Sequence, residues 1–568
     1  MIEIKLEQLS GESKSGNIGK INVKIGDEIK TGDILLQVES QKGNVSVKSN
    51  ASGIVEKIVI DEGDRINIGN VLFEIDGVQN EECTKKTGGF NYFNTLMKPQ
   101  KKEIEADITI IGAGPGGYVA AIYAAKQGKK VVVIEKEHVG GTCLNHGCIP
   151  TKALVRSSEI YRNIKKADSF GIFAENISVD MKKVIDRKDD IKNQLKGGIE
   201  YLLEKHNIEK LDGHGEIVDG NTIFVKANRT ETTINTKDII IATGSETSTV
   251  PIKGIDSKNV LTSKEALNMT SLPKKLVIVG GGVIGMEFAF IYESFGVEVF
   301  VVEYADEILA SLDEDVCDEI TEIAKVNGIK LYTGSKVEAI DETENGESIV
   351  SFIKDGESKY ISCDKVLVAV GRQPYFEGLG IEELGIEMHE NKKGIKINEK
   401  MQTNIPNIYA IGDVTNILQL AHVASHQGMV AVDNILGKAK NIDYSAVPSA
   451  IFTEPEIAVV GITEKIAREK GIEIEIGKFP MSANGKALTL GDAKGFVKII
   501  KNKSTGEIIG STIIGAHATD LLSSVTLCIN NGLTTEQITE TIFAHPTTSE
   551  SIHEAALNVE GGAIHFAE

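Results

Sequence analysis

Cysteine is scarce in this chain, with six among 568 residues. Cys83, Cys317, Cys363 and Cys528 are scattered, so no disulfide framework staples the fold. The one close pair, Cys143 and Cys148, has no second Cys or His pair at ligand spacing beside it, which leaves no support for a metal site. Long apolar runs are missing too: nothing approaches the roughly 18 residues that a membrane span needs. The opening MIEIKLEQLS has neither a basic n-region nor an apolar h-region, so secretion is not expected. Positive charge is outnumbered, 61 Lys and Arg against 82 Asp and Glu. The net −21 argues against nucleic acid and anionic membrane surfaces as partners. A cytosolic protein is the expectation, and in that compartment a disulfide is more often catalytic than structural.

What is present begins with size. The chain is too long for one core and implies about four domains. Its 57 glycines suit many tight βα turns. Residues 1–77 repeat themselves at a shift of 37: Ser15–Gly16 matches Ser52–Gly53, Gly26–Asp27 matches Gly63–Asp64, and Leu35 matches Leu72. Each copy alternates apolar and polar residues between Gly-Asp turns, which predicts short strands and a small β-sandwich with quasi-twofold symmetry. Lys42 falls at the turn joining the copies. Residues 78–105 lose all periodicity and read as a flexible linker, spanning roughly 30 Å as a coil.

Two glycine fingerprints follow. Ala106–Ile111 is a buried-strand pattern that runs into Gly112-x-Gly114-x-x-Gly117, then an Ala-rich helix, then the strand Lys130–Glu135. Gly112 makes the tight turn, Gly114 admits a pyrophosphate, Gly117 permits helix–strand packing, and Glu135 holds a ribose 2′-hydroxyl. Leu276–Val279 leads in the same way into Gly280-x-Gly282-x-x-Gly285, with Glu303 as its acid. Glu303 repels a 2′-phosphate and no arginine follows it closely, so NAD is preferred over NADP.

Between the fingerprints lies Gly140–Lys152, GGTCLNHGCIPTK, with its cysteines five positions apart. That spacing lets the sulfurs meet across one helical turn. A bridge over so short a loop adds little stability, so a reversible, chemical disulfide is one reading and a pair of buried thiols the other. His146 inside the loop could raise a thiolate fraction, or be a tolerated substitution. Near the end, Ala544-His545-Pro546-Thr547-Thr548-Ser549-Glu550 offers a proton acceptor with an acid to orient it.

Taken together, residues 106 to the C-terminus resemble the flavoprotein disulfide reductases, through GGTCLNHGCIPTKAL, Ala242–Ser245, Ile408–Val414 and the HPTTSE stretch. The front repeat resembles the lipoyl domains of 2-oxo acid dehydrogenase complexes, where the turn lysine carries lipoamide. Biotinyl domains share the fold but flank that lysine with methionines, and here the flanks are Gln41 and Gly43.

The resemblance implies a multidomain fold. It comprises a β-sandwich lipoyl-like domain (1–77), Rossmann-like α/β domains for FAD (106–245 and 371–445) and NAD (246–370), and an α+β dimerisation domain (446–568). It implies catalysis by Cys143, Cys148, His545 and Glu550, with the histidine serving the other subunit's disulfide in a homodimer. FAD contacts fall to Gly112, Gly114, Gly117, Glu135, Lys152, Gly215, Thr243, Gly244, Ser245, Asp413, Gln419, Leu420, Ala421 and His422. NAD contacts fall to Gly280, Gly282, Ile284, Gly285, Glu287, Glu303, Val337 and Gly371, with Ile284 gating the flavin and Glu287 paired with Lys152. Lipoate is expected on Lys42.

The expected activity is oxidation of dihydrolipoyl groups with reduction of NAD, in a 2-oxo acid or acetoin dehydrogenase complex. Glutathione reduction is disfavoured by Glu303, and mercuric reduction by the absence of a C-terminal cysteine pair in GGAIHFAE and of an N-terminal C-x-x-C. The alternatives are another NAD-dependent reductase of the family, or a carrier and docking subunit.

Overall fold

The computed structural model describes residues 2–6, 15–29, 33–40, 43–49, 51–79, 100–227, 230–390 and 393–567. It divides into two units, Met1–Lys98 and Pro99–Glu568.

The first unit holds two four-stranded sheets of matching order. One runs Ile2–Lys5, Val71–Gln79, Ala51–Ile58, Glu28–Ile29; the other runs Gly43–Lys48, Ile34–Ser40, Ser15–Ile21, Arg65–Asn67. The 37-residue repeat appears as reciprocal hydrogen bonds. The Gly26 amide donates to the Val55 carbonyl at 2.8 Å, and the Gly63 amide to the Ile18 carbonyl at 2.8 Å. At both turns the aspartate that follows the glycine accepts from an amide three residues back, Lys24 for Asp27 and Asp61 for Asp64. Gly26 and Gly63 sit at φ of 95° and 96°, where a Cβ is strained, so the Gly-Asp pair is what lets each copy turn. Leu35, Leu36, Val38, Leu72, Phe73 and Ile75 fill the core, three from each copy. Lys42 and Gln41 lie outside the described residues.

The second unit is built on three large sheets. In the first, Glu209–Asp212, Val131–Glu135, Gln100–Ile111, Thr230–Ile241 and Ile408–Ala410 are parallel neighbours, and Thr222–Ala227 and His214–Asp219 extend it antiparallel. This corrects the sequence-based boundary of the linker. Residues 100–105 are strand, paired from Gln100 with Thr230 to Glu105 with Asn235. The charged run QKKEIEA conceals an alternation that buries Ile104 and Ala106.

The second sheet is all parallel, in the order Val260–Leu261, Lys365–Val368, Lys275–Val279, Glu298–Val302, Lys330–Tyr332. After a charged first residue, its central strands are apolar and buried, Leu276–Val279 and Val299–Val302, as strands covered on both faces require. The third, Ser449–Ile451, Glu456–Gly461, Ile508–Gly515, Phe496–Asn502, Ile474–Pro480, is antiparallel and packs against the helices Ala518–Asn530 and Glu550–Glu560. The chain crosses between the first two sheets at Ser245–Thr247 and returns at Arg372–Pro374, and these two segments pair antiparallel.

Lys498, fully buried on the third sheet, reaches Asp313, Asp315 and Glu464 at 2.9, 2.7 and 2.8 Å. Burial pushes its ammonium down, but the three carboxylates outweigh that and hold it above the ordinary lysine value. No described helix is long and apolar enough to cross a membrane.

Candidate functional site

The two glycine loops are built alike, and each is shaped around a ligand rather than a side chain. Gly112 has φ 105°, and a Cβ on it would lie 2.3 Å from the Ala242 carbonyl oxygen; Gly280 has φ 108°, and its Cβ would lie 2.5 Å from that of Ala369. A Cβ on Gly117 would strike the Gly112 carbonyl at 1.8 Å, and one on Gly285 the Gly280 carbonyl at 2.0 Å. The middle glycines face open space instead: Gly114 has only the Gly141 Cα, at 3.9 Å, and Gly282 has nothing within 4 Å.

The acids match as well. Glu135 accepts from the Ala113 and Glu137 amides, both at 2.8 Å. Glu303 accepts from the Gly281 amide and from the Ala305 amide at 2.7 Å. Each carboxylate is aimed at the loop and keeps lone pairs for a ribose hydroxyl. The helices Pro115–Lys126 and Val283–Ser294 begin at these loops, and no N-cap side chain bonds their first amides. The residues present therefore fit two dinucleotides, FAD and NAD.

The first loop opens into a cavity of about 510 Å³. Its walls include Gly112, Gly114, Glu135, Gly215, Thr243, Gly244, Ser245, Asp413, Gln419 and Ala421, together with Cys143, Cys148, Lys152, Ile284 and Glu287. Gly117 and Leu420 are not part of that wall; Leu420 is the residue from which the helix Ala421–Ile435 starts. His422 turns its Nε2 to the Pro448 carbonyl at 2.9 Å. Gly371 has φ 107° at the chain's return, and Val337 packs half-buried against the core around Val279 and Phe352.

Cys143 lies in the short helix Gly141–His146, and Cys148 opens the helix Cys148–Lys165. Both are free thiols, the reduced form of the expected disulfide. They share one proton. The Cys143 S–H donates to Cys148, and with the Lys152 ammonium it outweighs burial to bring Cys148 down to about 7, while Cys143 is pushed far up. Of the two, Cys148 is therefore the one that ionises first, and Cys143 holds its proton more tightly. Lys152 is fixed in turn: its Nζ donates to both oxygens of the buried Glu287, at 2.9 and 3.1 Å, and lies 4.2 Å from the Phe452 ring centroid. The Phe452 amide donates to the same Glu287 at 3.0 Å.

Burial, and after it the Lys264 charge, lowers the His146 pKa from its ordinary value, which disfavours a positive charge in the loop.

Two residues that motif reading missed stand in the same walls. Arg372 donates from Nε to the Ser245 hydroxyl at 2.8 Å and from Nη2 to the Ser245 carbonyl at 2.5 Å. Ser245 donates on to Asp413 at 2.6 Å; burial raises the Asp413 carboxyl, opposed by Ser245 and by the Arg372 charge. Tyr375 carries the Lys136 ammonium over its ring, 3.3 Å from the centroid. The signal for both was their place just past Gly371, where the chain re-enters the first sheet.

Among the described residues, the last expected pair stands apart from this cavity. His545 Nδ1 lies 2.9 Å from Glu550 Oε1, and the Thr547 amide donates to Glu550 Oε2 at 2.9 Å. Against burial, those two contacts hold the Glu550 carboxyl below its ordinary value. The histidine ring is largely exposed, with one nitrogen oriented and the other facing outward.

Comparison with known proteins agrees with this anatomy. The family described as Pyridine nucleotide-disulphide oxidoreductase matches residues 106–428, its dimerisation domain matches 447–556, and the family described as Biotin-requiring enzyme, a biotin/lipoyl domain, matches 2–75. A dihydrolipoyl dehydrogenase of Bacillus subtilis is 44% identical over 473 residues, 81% of this chain and 99% of the relative. One from Geobacillus stearothermophilus is 42% identical over 463 residues, 82% and 98%. Among solved structures, LpdA from Mycobacterium tuberculosis aligns with a TM-score of 0.74 at 27% identity, covering 80% of this chain and 99% of that one. The HOCl-induced flavoprotein disulfide reductase RclA from Escherichia coli aligns at 0.70 and 30% identity, with the same coverage.

Proposed function

The chain belongs to the pyridine nucleotide-disulphide oxidoreductase family, and from that premise we propose that it oxidises protein-bound dihydrolipoyl groups to lipoyl groups while reducing NAD to NADH. One observation carries the reading. A cysteine pair that shares a proton lies in the wall of a cavity bounded by the first dinucleotide loop on one side and by Ile284 and Glu287 of the second nucleotide-binding segment on the other. The two nucleotide-binding parts are doubly wound α/β domains.

In the oxidised enzyme Cys143 and Cys148 are bridged. His545, oriented by Glu550, takes the proton of one dihydrolipoyl thiol, and the resulting thiolate attacks the Cys143 sulfur. The Cys143–Cys148 bond breaks and Cys148 leaves as a thiolate, stabilised by Lys152. The second substrate thiol then attacks the mixed disulfide, its proton passing to the departing Cys143 sulfur, so that oxidised lipoyl is released and Cys143 is left as a thiol. Two electrons and two protons have left the substrate, which corresponds to NADH plus one proton at the end. FAD, when bound, would supply the two-electron carrier between the dithiol and NAD. Glu287 holds Lys152 beside the thiolate, and Glu303 admits the unphosphorylated ribose of NAD.

Among the described residues, the exposed His545 is not in the wall that holds Cys143 and Cys148, and a homodimer brings base and disulfide together. Lys42, between the two copies of the front repeat in the sequence, carries lipoate as a tethered substrate in a 2-oxo acid or acetoin dehydrogenase complex. The test is NADH formation from NAD and dihydrolipoamide, joined to intact-mass analysis. An adduct of one lipoyl group, lost in Lys42→Arg, supports the carrier role. A chain without that adduct, or a Lys42→Arg variant that loses turnover of free dihydrolipoamide, sinks it.

A further inference from the structure

We propose that Tyr375 and Lys136 form a latch that closes the adenosine end of the flavin cavity and sets how slowly FAD escapes. The inference rests on the flavin reading of that cavity. Glu135 marks the ribose, and the adenine hangs from the ribose on the side away from the pyrophosphate. It therefore lies past Glu135, in the end bounded by Lys136, Gly213, His214, Gly215, Tyr375 and Leu379.

That end is shaped for a flat ring. Two of its residues are glycines, and a Cβ on Gly215 would come within 3.1 Å of the Ile134 side chain, so the wall there stays backbone. His214 Nε2 is held by the Glu377 carbonyl at 3.0 Å.

The latch has one half on each side of the cavity. Lys136 directly follows Glu135 at the end of the strand Val131–Glu135. Tyr375 follows the strand Arg372–Pro374, where the chain re-enters from the second sheet. Its backbone is held twice: its amide donates to the Gly244 carbonyl at 3.0 Å, and the Thr243 hydroxyl donates to its carbonyl at 2.5 Å. The ring is thus fixed to the segment that lines the flavin, and the Lys136 ammonium lies 3.3 Å from its centroid, well within cation–π range. Lys136 is exposed and Tyr375 only half-buried, so the fold's core does not require their contact. What the contact does is join two walls across the end of the cavity.

The experiment measures FAD release from the holoenzyme in Tyr375→Leu, Tyr375→Phe, Lys136→Met and the Tyr375→Leu/Lys136→Met double variant, with FMN binding to each apoprotein measured alongside. Tyr375→Leu and Lys136→Met are each expected to speed release by about tenfold, the double variant no faster than Tyr375→Leu alone, and Tyr375→Phe, which keeps the ring, to match the wild type. FMN has no adenosine, so its affinity stays constant throughout. Wild-type release from Tyr375→Leu, or single effects that multiply in the double variant, overturns the latch. A shift in FMN affinity places the effect at the flavin ring and overturns it too. If Tyr375→Leu fails to fold, Lys136→Met, at an exposed position, decides the matter. A wild-type chain that binds no FAD would overturn the flavin reading itself, an outcome distinct from FAD bound and released at unchanged rates.

Discussion

Replacing Cys143 by alanine removes the leading cause of the Cys148 thiolate, and the consequence can be worked through in numbers. Cys148 sits at about 7 where an ordinary thiol sits at 9, because the Cys143 S–H donates to it and the Lys152 ammonium faces it, against burial and the Glu287 charge. At pH 7 about half of Cys148 is thiolate, against about one part in a hundred for an unperturbed thiol two units higher. The sign is fixed: a lowered pKa puts the thiolate in place as pH rises through 7, and the thiolate is the reactive species.

Cys143→Ala takes away the donor but leaves Lys152, so the inflection moves up, and the rate of alkylation at pH 7 falls by at most about fiftyfold. Cys143→Ser restores a donor and should bring the inflection back toward 7. The assay is the pH profile of iodoacetamide alkylation at Cys148 in the reduced protein, located by peptide mass. Cys317 and Cys363 are buried and both pushed up to about 12, so they contribute little below pH 9. If Cys143→Ala and Cys143→Ser both keep the wild-type inflection, the shared proton is not what creates the thiolate. Lys152 alone would then have to account for it.

Gly117→Ala places a Cβ 1.8 Å from the Gly112 carbonyl, so this variant should purify without flavin colour, while Gly197→Ala, with nothing within 4 Å, should purify yellow. Lys498→Met leaves Asp313, Asp315 and Glu464 facing one another without their buried cation and should cost about 3–5 kcal/mol in urea unfolding at neutral pH, with the loss shrinking as the carboxylates protonate in acid; an equal loss at every pH would refute the electrostatic account. His545→Gln should lower dihydrolipoamide turnover by about a hundredfold to ten-thousandfold. Mixing refolded Cys143→Ala and His545→Gln chains should restore activity that neither has alone, unless base and disulfide belong to one chain.

How far the sequence discloses this molecule depends on the distance between the residues that cooperate. The glycine loops were legible because turn, approach and packing glycines fall within six positions, and the acid's distance follows from one helix and one strand. The front repeat was legible because a twofold fold repeats its turns, and the reciprocal Gly26–Val55 and Gly63–Ile18 bonds are that repeat in three dimensions.

Residues 100–105 were misread because their charges sit on the open positions of a strand whose partner, Thr230–Asn235, is more than a hundred residues away. Lys498 carries no local sign of burial, since the three carboxylates that make it tolerable come from two other segments. Arg372 and Tyr375 escaped for a related reason. A motif describes the loop that binds a ligand, whereas these side chains act where the chain re-enters after an inserted domain, and their partners Ser245, Thr142 and Lys136 are 127 to 239 positions away. The chemistry of a nucleotide site is written in short loops, but its closure is written in pairs that only the fold brings together. The two crossings of the inserted domain, at Ser245 and Arg372, are accordingly where substitutions should separate cofactor retention from catalysis.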